Sequence, residues 1–111
     1  MTSSPVIVHF RGNDPIAVIE ELCAREAAKL EKVHKGVVRS RVTITRGSAK
    51  HRTGHNWSVH LQVEIPGEDV QVQVDPSPEK DADELAGVVR LAFDRARRQL
   101  DERHADRKGR S

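Results

Sequence analysis

The chain has no tyrosine, one tryptophan, two phenylalanines, one cysteine and no long apolar run in its 111 residues. Each scarcity removes a class of protein. A single thiol, Cys23, leaves no internal disulfide, so no crosslink framework supports the fold and a reducing compartment is expected. Nothing approaches the roughly 20 apolar residues of a membrane span, and Met1 to Phe10 lacks the basic and apolar regions of a signal peptide, which points to the cytoplasm. With aromatics at 3% of residues, a surface that binds nucleic acid by stacking bases on rings is not expected. Nor does the sequence hold a paired-carboxylate, triad or metal-ligand spacing, so an enzyme is not expected.

What is present is charge, and it is segregated. Lys32 to Val63 contains seven basic residues and no acid, with four of the six histidines. Glu64 to Glu84 reverses the sign, with eight acids and one lysine, and from Arg90 onward eight Lys and Arg face four acids. The net charge is only +2, so the segregation rather than the sum points to a polyanionic partner. By the same reading the acidic segment 64–84 faces away from such a partner, as a solubilising edge or as a contact for a basic protein surface.

Hydrophobic periodicity gives the elements. Pro5 to Phe10 reads as a strand, and Asp14 as N-cap with Pro15 at the first helical position starts a helix over Ile16 to His34, stopped by Gly36. Its apolar stripe is Ile19, Leu22, Cys23, Leu30 and Val33, with Glu26 as the polar member, and Cys23 is read as a small core hydrophobe. Three alternating segments follow. In the first, Val38, Ser40, Val42 and Ile44 oppose Arg39, Arg41, Thr43 and Thr45. Trp57 to Ile65 and Val70 to Val74 flank Pro66-Gly67-Glu68-Asp69 as a hairpin. Trp57 is assigned to core packing rather than base stacking. Residues 75–82 read as a loop, Asp81 and Glu84 as a capping box, and Leu85, Val88, Val89, Ala92, Phe93, Ala96 and Leu100 as the apolar face of a last helix. Gly87 inside that helix is read as permitting close approach to the sheet.

The expected fold is α+β, of order β-α-β-β-β-α: one four-stranded sheet with two helices packed on one face, similar to the double-stranded-RNA-binding domain. Residues 1–104 form a single domain and 105–111 a polar, disordered tail. The open face would present Arg39, Arg41, Thr43, His60, Gln62, Gln71 and Gln73, a surface suited to phosphate and hydroxyl contacts. The donor-rich loop Arg46 to His55 lacks the Gly-Lys-Ser/Thr ending of a nucleotide-binding loop. His51 and His55, four apart without a CxxC or HExxH, do not make a zinc site, and no cofactor is expected.

Three short motifs, in order along residues 5 to 100, resemble the ribosome hibernation promoting factor and ribosome-associated inhibitor A family, also labelled sigma-54 modulation proteins. Phe10-Arg11-Gly12 resembles the end of that family's first strand. Ala28-Lys29-Leu30-Glu31-Lys32-Val33 resembles its "KLxKL" helix ending, and Asp94-Arg95-Ala96-Arg97-Arg98-Gln99-Leu100 its "DKLxRQL" ending. The family's "DxYxAID" falls on Glu84 to Arg90 with its aromatic missing, and the sequence stops before the dimerisation domain of long members, so a short, divergent form is expected. The resemblance implies a cytoplasmic binding protein on small-subunit rRNA near the decoding region, sterically blocking mRNA and tRNA. The RNA-binding residues then expected are Lys29, Lys32, Lys35, Arg39, Arg41, Arg46, Lys50, Arg52 and Arg98, in a monomer or weak dimer. The family's older label keeps a second reading open, a regulatory module that binds a protein through the sheet face and acidic edge.

Overall fold

The computed structural model describes residues 5–46, 57–75 and 85–109, with residues 104–109 by their backbone alone. Its elements are β1 (Val6–Arg11), α1 (Ala17–Val33), β2 (Arg39–Arg46), β3 (Trp57–Glu64), β4 (Val70–Val74) and α2 (Leu85–Gly109). The strands form one sheet in the order β1-β2-β3-β4. β1 and β2 are parallel, as the crossover through α1 requires, and the other two pairs are antiparallel. Both helices lie on one face, as the apolar parity of every strand demands.

Alternation along β3 is strict: Trp57, Val59, Leu61 and Val63 are buried while the residues between them are half-exposed. Val42 and Ile44 from β2, Val70, Val72 and Val74 from β4, and Leu85, Val88, Val89, Ala92, Phe93, Ala96 and Leu100 from α2 close on them as one core. Each fully buried aliphatic side chain contributes about 1.5–3 kcal/mol by leaving water. Gly67, at φ +97°, supplies the left-handed residue of the β3–β4 turn, next to Pro66. Gly12, at φ +80°, turns the chain out of β1 where an added Cβ would stand 3.1 Å from the Arg46 carbonyl oxygen.

The ends of α1 differ from expectation. The helix starts at Ala17 with Ile16 as N-cap and no side-chain cap, so Asp14 and Pro15 precede it. Ile16 packs against the core and its carbonyl accepts from the N–H groups of Ile19 and Glu20, both at 3.0 Å, so packing sets the entry. At the other end His34 is the C-cap in an extended conformation, and Gly36 is not at positive φ. The chain turns back toward β2 through Lys35 and Gly36 without a left-handed residue. Ala27 is buried where Val33 was expected to be, and Val33 is 59% exposed, because the 3.6-residue period carries the core-facing stripe from Leu30 to half-buried His34. Val38 likewise lies outside β2 and is exposed.

Two differences concern α2. Gly87 is exposed and an added Cβ would meet nothing within 4 Å, so it does not serve close packing. The helical backbone continues to Gly109, through 105–109 where a tail was expected, because that stretch contains helix-tolerant charged residues and no proline. The capping box Asp81 and Glu84, and the loop before it, lie outside the described residues.

Candidate nucleic-acid interface

The strand register determines which polar groups meet on the open face. Across it run the rows Ile7, Arg41, Gln62, Gln71 and His9, Thr43, His60, Gln73, with Arg11, Thr45 and Ser58 in a third. The face is knitted by side-chain hydrogen bonds. His60 Nε2 is 3.2 Å from Gln71 Oε1, Gln62 donates to Asp69 at 2.8 Å, and Gln73 donates to Asp75 at 3.0 Å. No Phe, Tyr or Trp ring lies in these rows, so the chemistry offered is chiefly hydrogen bonding and positive charge.

The acidic segment was expected to turn away from this surface, and its first residue does not. Glu64 pairs with Arg39 in the β2–β3 register. Its carboxylate sits 3.0 Å from Arg41 Nε and 3.7 Å from Arg39 Nη1. Antiparallel pairing thus lays the start of the acidic run against the basic one, and one carboxylate serves two arginines. All three side chains are partly solvated, so the pairing is worth little, within about 1 kcal/mol. A phosphate could displace it.

The other expected contacts are not on this face. Lys29 and Lys32 are exposed on α1 and Lys35 just beyond it, while Arg98 is exposed on α2. Lys29 is 3.3 Å from Glu26, and Asp94 holds Arg98 at 3.3 Å and Arg97 at 3.8 Å. Lys32, Lys35 and Arg90 have no ion-pair partner among the described residues. Between the helices lies an open groove of about 380 Å³ lined by Leu30, Val33 and Phe93 with Lys29, Arg90, Arg97, Glu26 and Asp94. Lys50 and Arg52, with His51 and His55, lie outside the described residues.

Arg46 ends β2 with a structural role. Its guanidinium lies 5.8 Å from the Trp57 ring centroid, and Nη1 donates to Asn13 Oδ1 at 3.1 Å. Trp57 is 8% exposed, so it packs in the core. Cys23 is fully buried, and its thiol is pushed up to about 12 by burial first and by Glu20 and Glu26 second, which makes it unreactive at neutral pH.

The nine expected residues therefore divide. Arg39 and Arg41 share the sheet face, Lys29, Lys32 and Arg98 share the helix layer with Lys35 just beyond α1, Arg46 stands at the strand end, and Lys50 and Arg52 lie outside the described residues. Arg11, which joins the sheet face in register with Thr45, and Glu64, which neutralises part of it, were missed. The alternation of β1 points to Arg11, since it shares parity with Ile7 and His9. Among the described residues no group of three or more His, Cys, Asp or Glu could hold a metal ion, and no helix is long and apolar enough to cross a membrane.

A four-stranded sheet backed by two helices, with a polar and partly basic open face, defines a binding domain. The chain belongs to the family described as sigma 54 modulation protein / S30EA ribosomal protein, whose model matches residues 6–108. Its fold is similar to that of the Thermus thermophilus Protein Y N-terminal domain, at 20% identity and TM-score 0.65, covering 92% of this chain and 98% of that one. It is also similar to a ribosomal subunit interface protein from Coxiella burnetii, at 15% identity and TM-score 0.70, covering 91% and 98%. No curated protein sequence matches it.

Proposed function

We propose that the protein is a ribosome-associated translation silencer that docks on small-subunit rRNA near the decoding region and excludes mRNA and tRNA by occupying their path. The observation that carries this reading is the family match across residues 6–108, nearly the whole chain. The surface is compatible with it. Cations are exposed on both sides of the molecule, on β2, at the end of α1 and along α2, as a body wedged into a folded-RNA cleft requires. No chemical step is needed, because occlusion is the mechanism. Residence in the cytoplasm follows from the same reading.

The test is co-sedimentation of the purified chain with isolated small subunits over a range of salt, alongside a translation assay. Saturable binding that lowers translation and weakens with salt is the expected result. If about six phosphates are neutralised, the log-log slope lies near −4 to −5. Arg39→Ala with Arg41→Ala should weaken binding and flatten that slope by about 1 to 2. Lys29→Ala with Lys32→Ala tests the helix side in the same way. Unchanged affinity in both double variants would remove RNA contact from these surfaces, and no binding at low salt would overturn the ribosomal reading.

A further inference from the structure

The two edges of the sheet are finished differently. At the β4 edge Val70, Val72 and Val74 are 0%, 4% and 6% exposed, and α2 reaches over the strand and the turn before it. Gln99 Nε2 donates to the Gln71 carbonyl at 3.5 Å, and Arg103 donates to the carbonyls of Glu68 and Asp69. At the other edge β1 has only β2 beside it, and none of the described residues bonds to its outer side. Val6, Val8 and Phe10 pack against the core but stay only partly buried.

The phase of the ladder shows which groups are free. Ser40 N–H donates to the Pro5 carbonyl at 3.0 Å, in register with Val6 opposite Ser40. In a parallel pair this turns the backbone groups of Pro5, Ile7, His9 and Arg11 toward β2 and those of Val6, Val8 and Phe10 outward. Among the described residues the edge thus offers three unpaired N–H and three unpaired C=O groups beside half-exposed apolar side chains, the combination that recruits another strand.

We propose that this strand is a second copy of β1, paired antiparallel about a two-fold axis through Val8, so that two molecules share one eight-stranded sheet with their helices on the same side. The sequence is self-complementary in that register. Val8 meets its own copy, Val6 meets Phe10, and Ile7 meets His9. Arg11 falls opposite Pro5, so no two arginines face each other and no permanently charged residue lies in the five central pairs. The outward groups of Val6, Val8 and Phe10 supply the hydrogen bonds. Because Gln99 reaches the Gln71 carbonyl and Arg103 holds the turn before β4, head-to-tail stacking of β1 on β4 is disfavoured and association closes at two. Six-residue strands give a small interface, so the dimer is weak and reversible. This proposal does not depend on the ribosomal reading.

Sedimentation equilibrium of the full chain should show a concentration-dependent rise from the 12.4 kDa monomer mass toward twice that value. Val8→Pro removes an outward N–H while leaving the β2-facing groups intact, a substitution edge strands tolerate, and should sediment as a monomer with an unchanged circular dichroism spectrum. Val8→Cys is the second arm, independent of whether the proline variant folds. In the proposed register the two Val8 Cα atoms lie about 5.5 Å apart, within disulfide reach, so oxidation should give a crosslinked dimer. Gln73→Cys on β4 should not crosslink. A wild-type chain that stays at the monomer mass up to the highest loading, leaving the edge to some other protein's strand, would overturn the proposal. So would crosslinking of Val8→Cys no greater than that of Gln73→Cys.

Discussion

The two faces of β3 carry equal numbers of residues and opposite kinds of organisation. On the helix side Trp57, Val59, Leu61 and Val63 disappear under α2, and on the other Ser58, His60, Gln62 and Glu64 remain half-exposed in a mesh of polar contacts. The inner face follows from the alternation of a single strand. The outer one depends on partners supplied by other strands, because Glu64 is acidic in sequence and becomes the counter-charge of Arg39 and Arg41 only through the β2–β3 register. A run of like charge is a property of one dimension. Folding divides the basic stretch between two faces of the sheet and lays its acidic neighbour against part of it.

The widest gap between the faces should appear in neighbouring truncations. Leu61→Ala removes a fully buried side chain in the middle of the core and should cost about 2–5 kcal/mol in urea unfolding. Gln62→Ala, one residue on, loses a single 2.8 Å hydrogen bond to Asp69 at a part-buried site and should cost about 1 kcal/mol. Equal losses would mean that the open face carries as much of the stability as the core, which would break the comparison.

Cys23 reports on the buried side through pH. Burial, with Glu20 and Glu26 beside it, pushes its thiol from the ordinary 9.0 of an exposed cysteine up to about 12 in the fold. A raised folded value means that the native state holds the proton longer, so its contribution is complete below pH 9.0 and is lost as pH climbs toward 12. Unfolding free energy measured across that window should fall with pH, and Cys23→Ser should remove this component of the slope. Thiol reagents at pH 8 should label the native chain only through opening of the α1 layer.

On the polar face, Glu64→Gln frees Arg39 and Arg41 together. If that face meets RNA, small-subunit binding should tighten several-fold and its salt slope should steepen by about 1, while stability changes by less than about 1 kcal/mol. An unchanged slope would assign the electrostatic contact to the helix side, where Lys32, Lys35 and Arg90 are already unpaired among the described residues.

The fold was legible where one residue's neighbours in sequence are also its neighbours in space. Alternation in β3 and β4 and the stripe of α2 placed the core residues, and the number and order of elements followed. The boundaries of α1 were not legible, since Asp14 and Pro15 form a strong local start signal that core packing of Ile16 overrides. The candidate site was only half legible. Parity put Arg39 and Arg41 on the wet face, but nothing local says that Glu64 lands between them, because register across the β2–β3 connection is set by partners remote in sequence. The helix-side lysines were found by composition and could not be separated from the sheet arginines until the layers were known.

Gly87 offers a smaller test of the helix layer. An exposed glycine within α2, with open space around its would-be Cβ, lowers helix stability for no packing return. Gly87→Ala should therefore raise the unfolding free energy by about 1 kcal/mol. A destabilised variant would mean that something approaches α2 at this point.

The smallest effect is expected at Arg46, where the two faces meet. Its guanidinium lies against Trp57, the first buried residue of β3, and its Nη1 holds the Asn13 side chain just after the β1 turn. Arg46 is exposed, so the ring contact and the hydrogen bond together are worth little, and Arg46→Ala should cost about 0.5–1 kcal/mol. Arg46→Lys keeps the charge and loses the planar contact, and should recover only part of that stability. The same pair of variants separates the two roles open to this residue. If small-subunit binding falls with Arg46→Ala and returns fully with Arg46→Lys, positive charge is what the RNA reads there. If binding instead follows stability through both variants, Arg46 acts as the clasp between β2, Trp57 and the β1 turn, and the electrostatic contact belongs to Arg39 and Arg41.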